Sequence, residues 1–410
     1  MTRAVISGVG VVSAFGVGAR AFFDGLASGR AAVGPIRAFD VSTFPVRVAG
    51  EVPGPPVFDV DPTGVRDRKL LLGIFAAREA WRDAGCAAPE RGAALIAAVG
   101  LEQALLQDFA PLLDNAGRID WPRAATAALP PVAFRAPIDD TVRSIAAVLG
   151  LTGPTVAHVS ACAAGALAVA HAAALIERGD HQVVVAGGTD SMINPLGLGG
   201  MARLGAPSPR HAPDACRPFD RRRDGLAMGE GAAFFVIENE DRARARGARV
   251  HARVVGWGST QDGWRVTAPR PDGRSAARAI TKALARAGLP PEAIGYVNAH
   301  GTGTPLNDPA EVRALRLALG AHAYRVPVSS IKGAVGHLMA ASGAIELAAC
   351  LLPLARGPLP GTAHHREPDP ECDVDVIGEA PRAGAVEIAL SNSFGFGGQN
   401  ASVLLARSTR

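Results

Sequence analysis

Two kinds of hydrophobic pattern alternate along this chain. Short, nearly continuous apolar runs bounded by glycine, proline or polar residues predict buried strands; they cover residues 4–6, 94–99, 155–159, 182–186, 232–238, 250–256, 293–297, 324–329, 386–391 and 401–405. Longer segments in which apolar residues recur every three or four positions predict helices; they cover residues 69–84, 163–178, 275–287, 311–319 and 340–352. Strands that alternate with helices in this way predict an α/β fold.

The segment between residues 155 and 186 combines a predicted strand, a turn at Cys162, a helix and a second strand. This spacing indicates a βαβ unit of a parallel sheet. The helix over 163–178 is apolar on nearly all sides, which indicates that it is buried between two layers. Mixed α and β patterns occur in both halves of the chain, 1–250 and 251–410, so we expect a layered α/β sandwich of two similar halves.

Composition and charge are those of a soluble folded enzyme. Hydrophobic residues make up 48% of the 410 residues and charged residues 20%, with a net charge of +4, which excludes a disordered chain. Basic residues alternate with acids, as in Arg242, Arg244 and Arg246 after Glu238 and Asp241. That pattern is typical of a solvated face and not of a nucleic-acid site. The pI near 9.0 is compatible with one acidic protein partner.

The lengths of the apolar runs and the spacing of the cysteines further limit the class of protein. No run of 18 apolar residues occurs, since the best candidate, 340–354, is broken by Glu346. The N-terminal segment predicts a strand and a turn rather than a signal peptide. The five cysteines are odd in number and form no CxxC pair, so we expect no disulfide scaffold and no metal site. These features predict a cytoplasmic protein without a membrane segment.

Gly8 and Gly10 raise the alternative of a dinucleotide-binding loop, because they follow the first predicted strand. No third glycine follows at the required offset, and no acidic residue stands about twenty positions later in a second strand. We therefore interpret these two glycines as a turn after residues 4–6.

Cys162 is the candidate nucleophile. It begins a predicted helix directly after a buried strand, where free amide N–H groups and the helix macrodipole favour an anion. Cysteines in such positions can have a lowered pKa, and we expect a reactive thiolate here. Small neighbours, Ala161, Ala163, Ala164 and Gly165, leave room for a substrate. A buried structural cysteine is the alternative, and it is the interpretation that fits the other four cysteines.

His300 and His337 are the candidate partners of the cysteine. Each stands just beyond a predicted buried strand and is flanked by glycine. A lone histidine is more often structural, but two in equivalent settings, with a cysteine at a helix start, indicate a site. A carbon–carbon condensation needs a thiolate to hold an acyl group and donors to stabilise an enolate. Two neutral imidazoles can donate Nε2–H to one thioester oxygen.

Lys332 places a positive charge close to His337 in the sequence. Only three of the 42 basic residues are lysines, which makes each lysine more informative. Its counter-charge could come from Glu311, Asp308 or Glu346. Glu346 is the lone acid of an apolar helix, and a buried charge needs a partner.

The segment 392–400 is a glycine-rich turn between two predicted strands. Its backbone N–H groups could complete an oxyanion hole, and Phe394 and Phe396 could shield an acyl pocket. A plain glycine hairpin is the alternative for this segment.

Four motifs, in this order, resemble the elongating beta-ketoacyl-acyl carrier protein synthases, the condensing enzymes of the thiolase superfamily. They are Ser160-Ala161-Cys162-Ala163-Ala164-Gly165, His300-Gly301-Thr302-Gly303-Thr304, Lys332 with Gly336-His337, and Asn392-Ser393-Phe394-Gly395-Phe396-Gly397-Gly398. The stretches 195–200 and 217–231 match as well, so the resemblance covers essentially the whole chain.

The resemblance implies a five-layer αβαβα thiolase-like fold of two similar halves. Residues 1–250 would form the half with Cys162, and residues 251–410 the half with His300 and His337. The implied reaction is a decarboxylative Claisen condensation of a cysteine-bound acyl group with malonyl-acyl carrier protein. No cofactor is implied, because the substrates are carried on the phosphopantetheine of acyl carrier protein. The implied assembly is a homodimer, or a heterodimer with a related ketosynthase-like subunit.

Motif matching also implies roles for single residues. Cys162 would hold the acyl group, His300 and His337 would stabilise the enolate, and the amides of Cys162 and Phe396 would form the oxyanion hole. Lys332, paired with Glu346 or Glu311, would organise the site.

The substrate pocket is implied in the same way. Thr302 and Thr304 would contact the phosphopantetheine arm. Phe394 and Phe396 would border the acyl pocket, with Phe396 as its gate, and Met201 would line it.

Some positions depart from the family pattern. Ala163 and Ala164 replace hydroxyl-bearing residues, 99–102 lacks a glycine-rich loop, and Gln399 replaces a common threonine. These departures favour a type II polyketide or polyene pathway over a housekeeping fatty-acid role.

Other condensing enzymes are less compatible with the chain. Initiating and plant-type synthases use Cys-His-Asn, and degradative thiolases use a second, late cysteine; His337 and the lack of a late cysteine argue against them. A non-catalytic chain-length partner subunit is the alternative from another class, and Cys162 argues against it because such partners lack the nucleophile.

A basic cluster at a predicted helix start is the candidate docking site for the acidic carrier protein. Arg66, Arg68 and Lys69 form this cluster, and Arg203 is a second candidate. Asp67 dilutes the cluster, so an ordinary solvated helix end is the alternative.

Overall fold

The computed structural model describes residues 3–54, 67–86, 92–100, 112–126 and 137–408. The strands in this part of the chain are β1 (Ala4–Ser13), β2 (Gly16–Val17), β3 (Gly34–Pro35), β4 (Val48–Gly50), β5 (Ala94–Val99), β6 (Thr155–His158), β7 (Val183–Ser191), β8 (Met228–Asn239), β9 (Ala252–Gln261), β10 (Tyr296–Asn298), β11 (Val328–Ser329), β12 (Ile388–Gly395) and β13 (Gln399–Arg407). The helices are α1 (Ala19–Ala27), α2 (Arg68–Asp83), α3 (Trp121–Thr126), α4 (Pro137–Leu149), α5 (Ala164–Arg178), α6 (Pro195–Arg203), α7 (Glu240–Ala245), α8 (Arg274–Ala287), α9 (Asn307–Leu319), α10 (Lys332–Val335) and α11 (Ser342–Leu354).

The same strand-pairing pattern occurs twice in the sheet. In the first half, β5 lies parallel to β6 and β7, and β8 lies antiparallel to β7 and β1. In the second half, β10 lies parallel to β11 and β12, and β13 lies antiparallel to β12 and β9. A short pairing of β1 with β9 joins the halves in the order β11-β10-β12-β13-β9-β1-β8-β7-β5-β6.

Alternate residues of the strands face two different helix layers. In β5, Leu95 and Ala97 pack with α2 and α4, whereas Ile96 and Ala98 face α5. In the second half, α8 and α9 cover the outer face, and α5 and α11 pack against each other between the two halves of the sheet. The layers therefore follow the order α-β-α-β-α, and the expected five-layer α/β fold is confirmed.

Helix α5 is buried in the centre, as its apolar sequence indicates. In the described part of the chain, one helical stretch, Ala161–Arg178, has the length and apolar composition of a membrane span. Val169 and Ile176 are fully buried in the central layer with residues of both halves. Contact with two sheet layers accounts for the apolar composition on all sides.

The first strand differs from the prediction. It continues to Ser13 instead of turning after Ile6, so Gly8 and Gly10 lie inside β1. A Cβ at Gly8 would lie 2.1 Å from the carbonyl oxygen of Ala80, and one at Gly10 would lie 2.0 Å from that of Ala76. These glycines let α2 approach the sheet closely, and they form no turn.

The strand predicted over 324–329 is also shorter, with only Val328–Ser329 paired in the sheet. A 3-10 helix, Gly320–Tyr324, precedes it. The amides of Arg325 and Val326 both donate to the carbonyl of His322, at 3.0 Å, which holds this backbone in a turn.

Candidate active site

Cys162 stands on a strained turn between β6 and α5. Ala161, immediately before it, has φ +47°, which is unusual for a residue with a Cβ. The turn continues as a 3-10 helix, Ala161–Ala163, into α5. Cys162 therefore lies at the amino end of a buried helix, as the sequence predicts, and it lines the cavity described below.

The expected lowering of the cysteine pKa is wrong. Burial raises the pKa of the Cys162 thiol to about 11, and the charge of Lys332 and the amide of Phe396 lower it only in part. Removing the thiolate from water costs more than Lys332 and the Phe396 amide recover. The thiol is therefore protonated at neutral pH in this structure.

His300 lies in the loop between β10 and α9 and is held by two charged groups. Glu311 accepts hydrogen bonds from the amides of His300, at 2.9 Å, and Gly301, at 2.8 Å. The ammonium group of Lys332 lies 2.6 Å from the carbonyl oxygen of His300 and 3.2 Å from its Nδ1. An ammonium group only donates, so Nδ1 of His300 is an acceptor.

His337 follows α10 and is oriented by the next turn of the chain. Its Nδ1 accepts a hydrogen bond from the Met339 amide at 3.0 Å and lies 3.1 Å from Oγ of Ser342. An amide only donates, so this Nδ1 is an acceptor as well. The proton of each neutral ring is therefore on Nε2.

The two imidazole rings are neutral and pack edge to face. Their ring centroids are 5.5 Å apart at an interplanar angle of 86°, and the ring of His300 lies 5.7 Å from that of Phe394. Burial, then the charge of Lys332, hold the pKa of both histidines well below its usual range. In the described part of the chain, neither Nε2 atom has a hydrogen-bond partner within the protein.

Of the three acids considered as the counter-charge of Lys332, Glu346 forms the ion pair, and Glu311 and Asp308 do not. The Lys332 ammonium and Glu346 carboxylate form an ion pair in which each side chain is 1% exposed. Ser393 donates to the second oxygen of Glu346 at 3.2 Å. Burial raises the pKa of Glu346 and of Glu311 to about 7 in each case, although Lys332 opposes the rise at Glu346 and two amides oppose it at Glu311.

Asp308 has a role that the sequence does not reveal. Its carboxylate accepts hydrogen bonds from the amides of Phe219 at 2.8 Å, Thr302 at 3.0 Å and Gly303 at 3.2 Å. It thereby fixes the loop that carries His300, and it is not the partner of Lys332. Its place near the start of α9, just after the glycine-rich loop, is the only sequence signal for this role.

The glycine-rich segment lies against the nucleophile. A Cβ at Gly395 would lie 3.0 Å from the amide nitrogen of Cys162, so only glycine leaves this space open. The amide of Phe396 is close enough to the sulfur to lower the pKa of Cys162. The Cys162 amide nitrogen thus lies beside Gly395 and the Phe396 amide lies near the sulfur, and the oxyanion hole of these two amides stays a prediction.

These groups border a cavity of about 450 Å³. The predicted residues that line it are Cys162, His300, His337, Thr302, Thr304, Phe394, Phe396 and Met201. The Thr302 and Thr304 hydroxyls lie 2.9 Å apart, and Met201 is buried in a methionine-rich cluster with Cys162. Sequence reasoning missed Arg265, Val266 and Leu306 at its exposed rim, because no motif contains them.

Two glycines bring together the turn at Cys162 and the turn that follows His337. A Cβ at Gly165 of α5 would lie 2.5 Å from the amide nitrogen of Ala344, and one at Gly343 of α11 would lie 2.5 Å from that of Ala166. The first turns of α5 and α11 therefore touch backbone to backbone. This contact places the helix that follows Cys162 against the helix that follows His337.

The predicted docking cluster is partly wrong. Lys69 is 3% exposed and paired with Asp67, so it cannot meet a partner surface. Arg68 forms a bidentate ion pair with buried Glu230 and also donates to the carbonyl of Val52. Arg66 lies outside the described residues. Arg203 is exposed at the end of α6.

Known proteins match this chain over its full length. Two family models match: Beta-ketoacyl synthase, N-terminal domain, over residues 1–243, and Beta-ketoacyl synthase, C-terminal domain, over residues 251–366. The 3-oxoacyl-[acyl-carrier-protein] synthase 2 of Synechocystis is 38% identical over 98% of this chain and 97% of its own length. The tetracenomycin polyketide synthase ketoacyl synthase alpha subunit of Streptomyces glaucescens is 38% identical over 99% and 97%.

Solved structures match in the same way. The ishigamide ketosynthase/chain length factor superposes with a TM-score of 0.85, 34% identity and full coverage of both chains. A type II polyketide ketosynthase in complex with its acyl carrier protein superposes with a TM-score of 0.86 and 26% identity, covering 99% of this chain and 100% of that chain. With its assembled cysteine and two histidines, the chain belongs to the beta-ketoacyl synthase family of acyltransferase-type condensing enzymes.

Proposed function

We propose that this protein joins an acyl group held on Cys162 to a malonyl unit with loss of CO2. In the first half-reaction, the sulfur of Cys162 attacks the thioester carbonyl of an acyl-carrier protein. The bond between the carbonyl carbon and the carrier sulfur breaks, and the thiol proton of Cys162 ends on the departing carrier thiolate. The amides of Cys162 and Phe396 stabilise the oxyanion of the tetrahedral intermediate.

In the second half-reaction, the bond between the malonyl α-carbon and its carboxylate breaks. CO2 leaves, and the electron pair forms an enolate whose oxygen accepts the Nε2–H of His300 and His337. The α-carbon then attacks the acyl carbonyl on Cys162. Collapse of that intermediate gives the beta-ketoacyl thioester and a Cys162 thiolate, which is protonated again.

The observation that carries this proposal is the tautomer of the two histidines. Both Nδ1 atoms accept hydrogen bonds from groups of the protein that can only donate. Both Nε2–H groups are thus left to donate within the cavity that also contains Cys162. Two neutral donors stabilise an enolate oxygen without giving it a proton, because the rings are not imidazolium ions.

The first prediction separates the two half-reactions. His300→Ala and His337→Ala should each lower malonyl decarboxylation by roughly 10²–10³-fold, the loss typical of one oxyanion-type donor. Cys162→Ala should abolish acyl transfer and retain decarboxylation. The measurements are CO2 release from malonyl-acyl carrier protein and mass spectrometry of acylated Cys162. Normal decarboxylation in both histidine variants would disprove the enolate role.

The carrier protein docks, in this proposal, at the rim of the cavity. Arg265 is the only basic residue among the cavity-lining residues that the structure describes, and it is exposed. Arg203 is exposed next to Leu204, which also lines the rim. Together with exposed Val266 and Leu306 they form the rim patch, a mixed basic and apolar surface that suits an acidic carrier protein.

The remaining features follow from the family. The substrates arrive on the phosphopantetheine of acyl carrier protein, and Thr302 and Thr304 contact that arm; no other cofactor is needed. We infer a cytoplasmic protein that forms a homodimer or a heterodimer with a related ketosynthase-like subunit. The polyketide or polyene role is favoured by Ala163 and Ala164, whereas the Synechocystis relative keeps a fatty-acid role as the second candidate. Product analysis with malonyl-acyl carrier protein alone distinguishes a poly-beta-keto chain from single-step elongation.

A further inference from the structure

The turn before α11 repeats the turn before α5. Met339 has φ +48°, close to the +47° of Ala161, and each residue begins a 3-10 helix that leads into one of these helices. Since Gly165 and Gly343 are also equivalent in their reciprocal contact, Ala340 is the counterpart of Cys162. The second turn thus presents an amide at Ala340 where the first turn presents the oxyanion-hole amide of Cys162.

The strands that face these two amides carry different residues at the point of contact. Gly395, near the end of β12, leaves the space beside the Cys162 amide open. Asp190, near the end of β7, fills the equivalent space, and its Oδ2 accepts a hydrogen bond from the Ala340 amide at 2.9 Å. The amide of Ser191 is close enough to this carboxyl group to lower its pKa, as the amide of Phe396 is close enough to the sulfur to lower the pKa of Cys162.

Asp190 is enclosed on its other sides. It is 1% exposed, and a Cβ at Gly100 would lie 2.2 Å from both carboxylate oxygens, so the carboxylate rests on the backbone there. Burial raises the pKa of the Asp190 carboxyl to about 7, although the Ala340 amide and the charge of buried Lys69 oppose the rise; Asp67 adds to it. Lys69, expected at the surface, thus supplies charge to this buried site.

The turn held by Asp190 also orients His337. The amide of Met339, adjacent to Ala340, is the donor that makes Nδ1 of His337 an acceptor. A residue with a Cβ at positive φ is strained, so this turn needs contacts that hold it. The bond from the Ala340 amide to Asp190 is such a contact, one residue away from the Met339 amide.

We propose that the carboxyl group of Asp190 occupies a second oxyanion-hole-like site at the amide of Ala340, and thereby acts as a positioning residue for His337. The protein then contains two equivalent anion sites. The one at Cys162 is left open for the substrate by Gly395, and the one at Ala340 is closed by the side chain of Asp190. The inference rests on the proposed function only for the role of His337 in decarboxylation.

The test is chemical rescue of Asp190→Ala, which empties the second site. Decarboxylation should fall about tenfold, acylation of Cys162 should change less than about twofold, and added formate should restore decarboxylation. Nitrogen-15 spectra of histidine-labelled protein, assigned with His337→Ala, should show loss of the single Nε2–H tautomer of His337 and its recovery with formate. Asp190→Asn, which keeps an oxygen acceptor for Ala340, should resemble the unchanged protein.

The matched control is Glu238→Ala, which removes a carboxylate that is also buried on a neighbouring strand but pairs with Arg242 and Arg246. It should lower stability without shifting the His337 tautomer or responding to formate. If Asp190→Ala does not fold, Asp190→Ser replaces it, because the shorter hydroxyl cannot reach the Ala340 amide. Chloride at equal ionic strength should not substitute for formate.

Three outcomes of this experiment decide the role of Asp190. An unchanged tautomer and no rescue by formate would overturn the proposal, whatever the loss of activity. Equal loss in both half-reactions without rescue would also overturn it and leave Asp190 as a structural residue. A formate-sensitive tautomer with normal decarboxylation would support the role of Asp190 and contradict the enolate role of His337.

Discussion

Burial determines the chemistry of single residues at this site. The thiol of Cys162, the two imidazoles and the carboxyls of Glu311 and Glu346 all have pKa values shifted toward the neutral form. Desolvation is the largest cause in every case, and the charge of Lys332 opposes it for the thiol and the two carboxyls. A neutral thiol and two neutral imidazoles are suited to hold a thioester and to donate hydrogen bonds, but burial leaves the Cys162 sulfur protonated until the substrate is bound.

The raised pKa of Cys162 predicts how alkylation depends on pH. Only the thiolate reacts, and with a pKa of about 11 its fraction should still increase tenfold per pH unit between pH 7 and 10. The rate of carboxamidomethylation by iodoacetamide, followed by mass spectrometry of the Cys162 peptide, measures this. Cys216 is an internal control that should react more slowly, because it is fully buried and its pKa is raised to about 12. A rate that levels off between pH 7 and 8 would instead indicate a stable thiolate.

At the scale of elements, the contact between α5 and α11 places Cys162 and His337 close together. Gly165 and Gly343 allow the two helices to touch at their first turns, directly after the segments that carry Cys162 and His337. A side chain at either position would have to displace a backbone nitrogen, which cannot move without its helix. Packing of the two central helices is thus coupled to the distance between Cys162 and His337, the proposed nucleophile and one of the proposed enolate donors.

Gly343→Ala should therefore damage catalysis as well as stability. Overpacking of this kind costs about 1–3 kcal/mol of unfolding free energy, and separation of the turns should lower condensation more than tenfold. Thermal unfolding and condensation assays on the same preparation compare the two effects. Gly200→Ala is the matched control in α6, because its Cβ would meet nothing within 4 Å, and it should retain activity. Full activity in Gly343→Ala would show that this contact does not set the site.

At the scale of the whole molecule, the duplicated strand pattern explains why the site has contributions from both halves. Equivalent turns lead into α5 and α11, and one carries the nucleophile while the other follows His337. We propose that the halves divide between residues 250 and 251, in the connection from α7 to β9. The first half would then contribute Cys162, and the second half His300, His337, Lys332 and Phe396, so neither half alone would hold the complete site.

The rim patch predicts a salt-dependent partner effect. Arg203→Glu and Arg265→Glu should raise the KM for acyl-carrier protein several-fold and make it less sensitive to ionic strength, because attraction to an acidic partner is lost. Activity on a small acyl thioester, which needs no docking, should remain. Arg356→Glu is the control, since this exposed arginine follows the far end of α11. An unchanged ratio of the two activities at all ionic strengths would exclude the rim patch as the docking surface.

The sequence by itself determined the reaction class, because the groups that react lie in short segments with their own local geometry. Cys162 at a helix start, and His300 and His337 beside glycines after strands, are readable from neighbours a few residues away. The apolar helix α5 likewise indicated a buried central layer. Periodicity and turn chemistry are local properties, and a single chain displays them directly.

Only the tertiary structure decided the properties that depend on distant residues. In the folded protein, Glu346 is the partner of Lys332, and Lys69 is buried. Burial also raises the pKa of Cys162, which the sequence predicted to be lowered. Desolvation and close backbone approach arise from segments far apart in the chain, so no local pattern encodes them. The contact between Asp190 on β7 and the amide of Ala340 is of this kind, because the two residues are far apart in the chain.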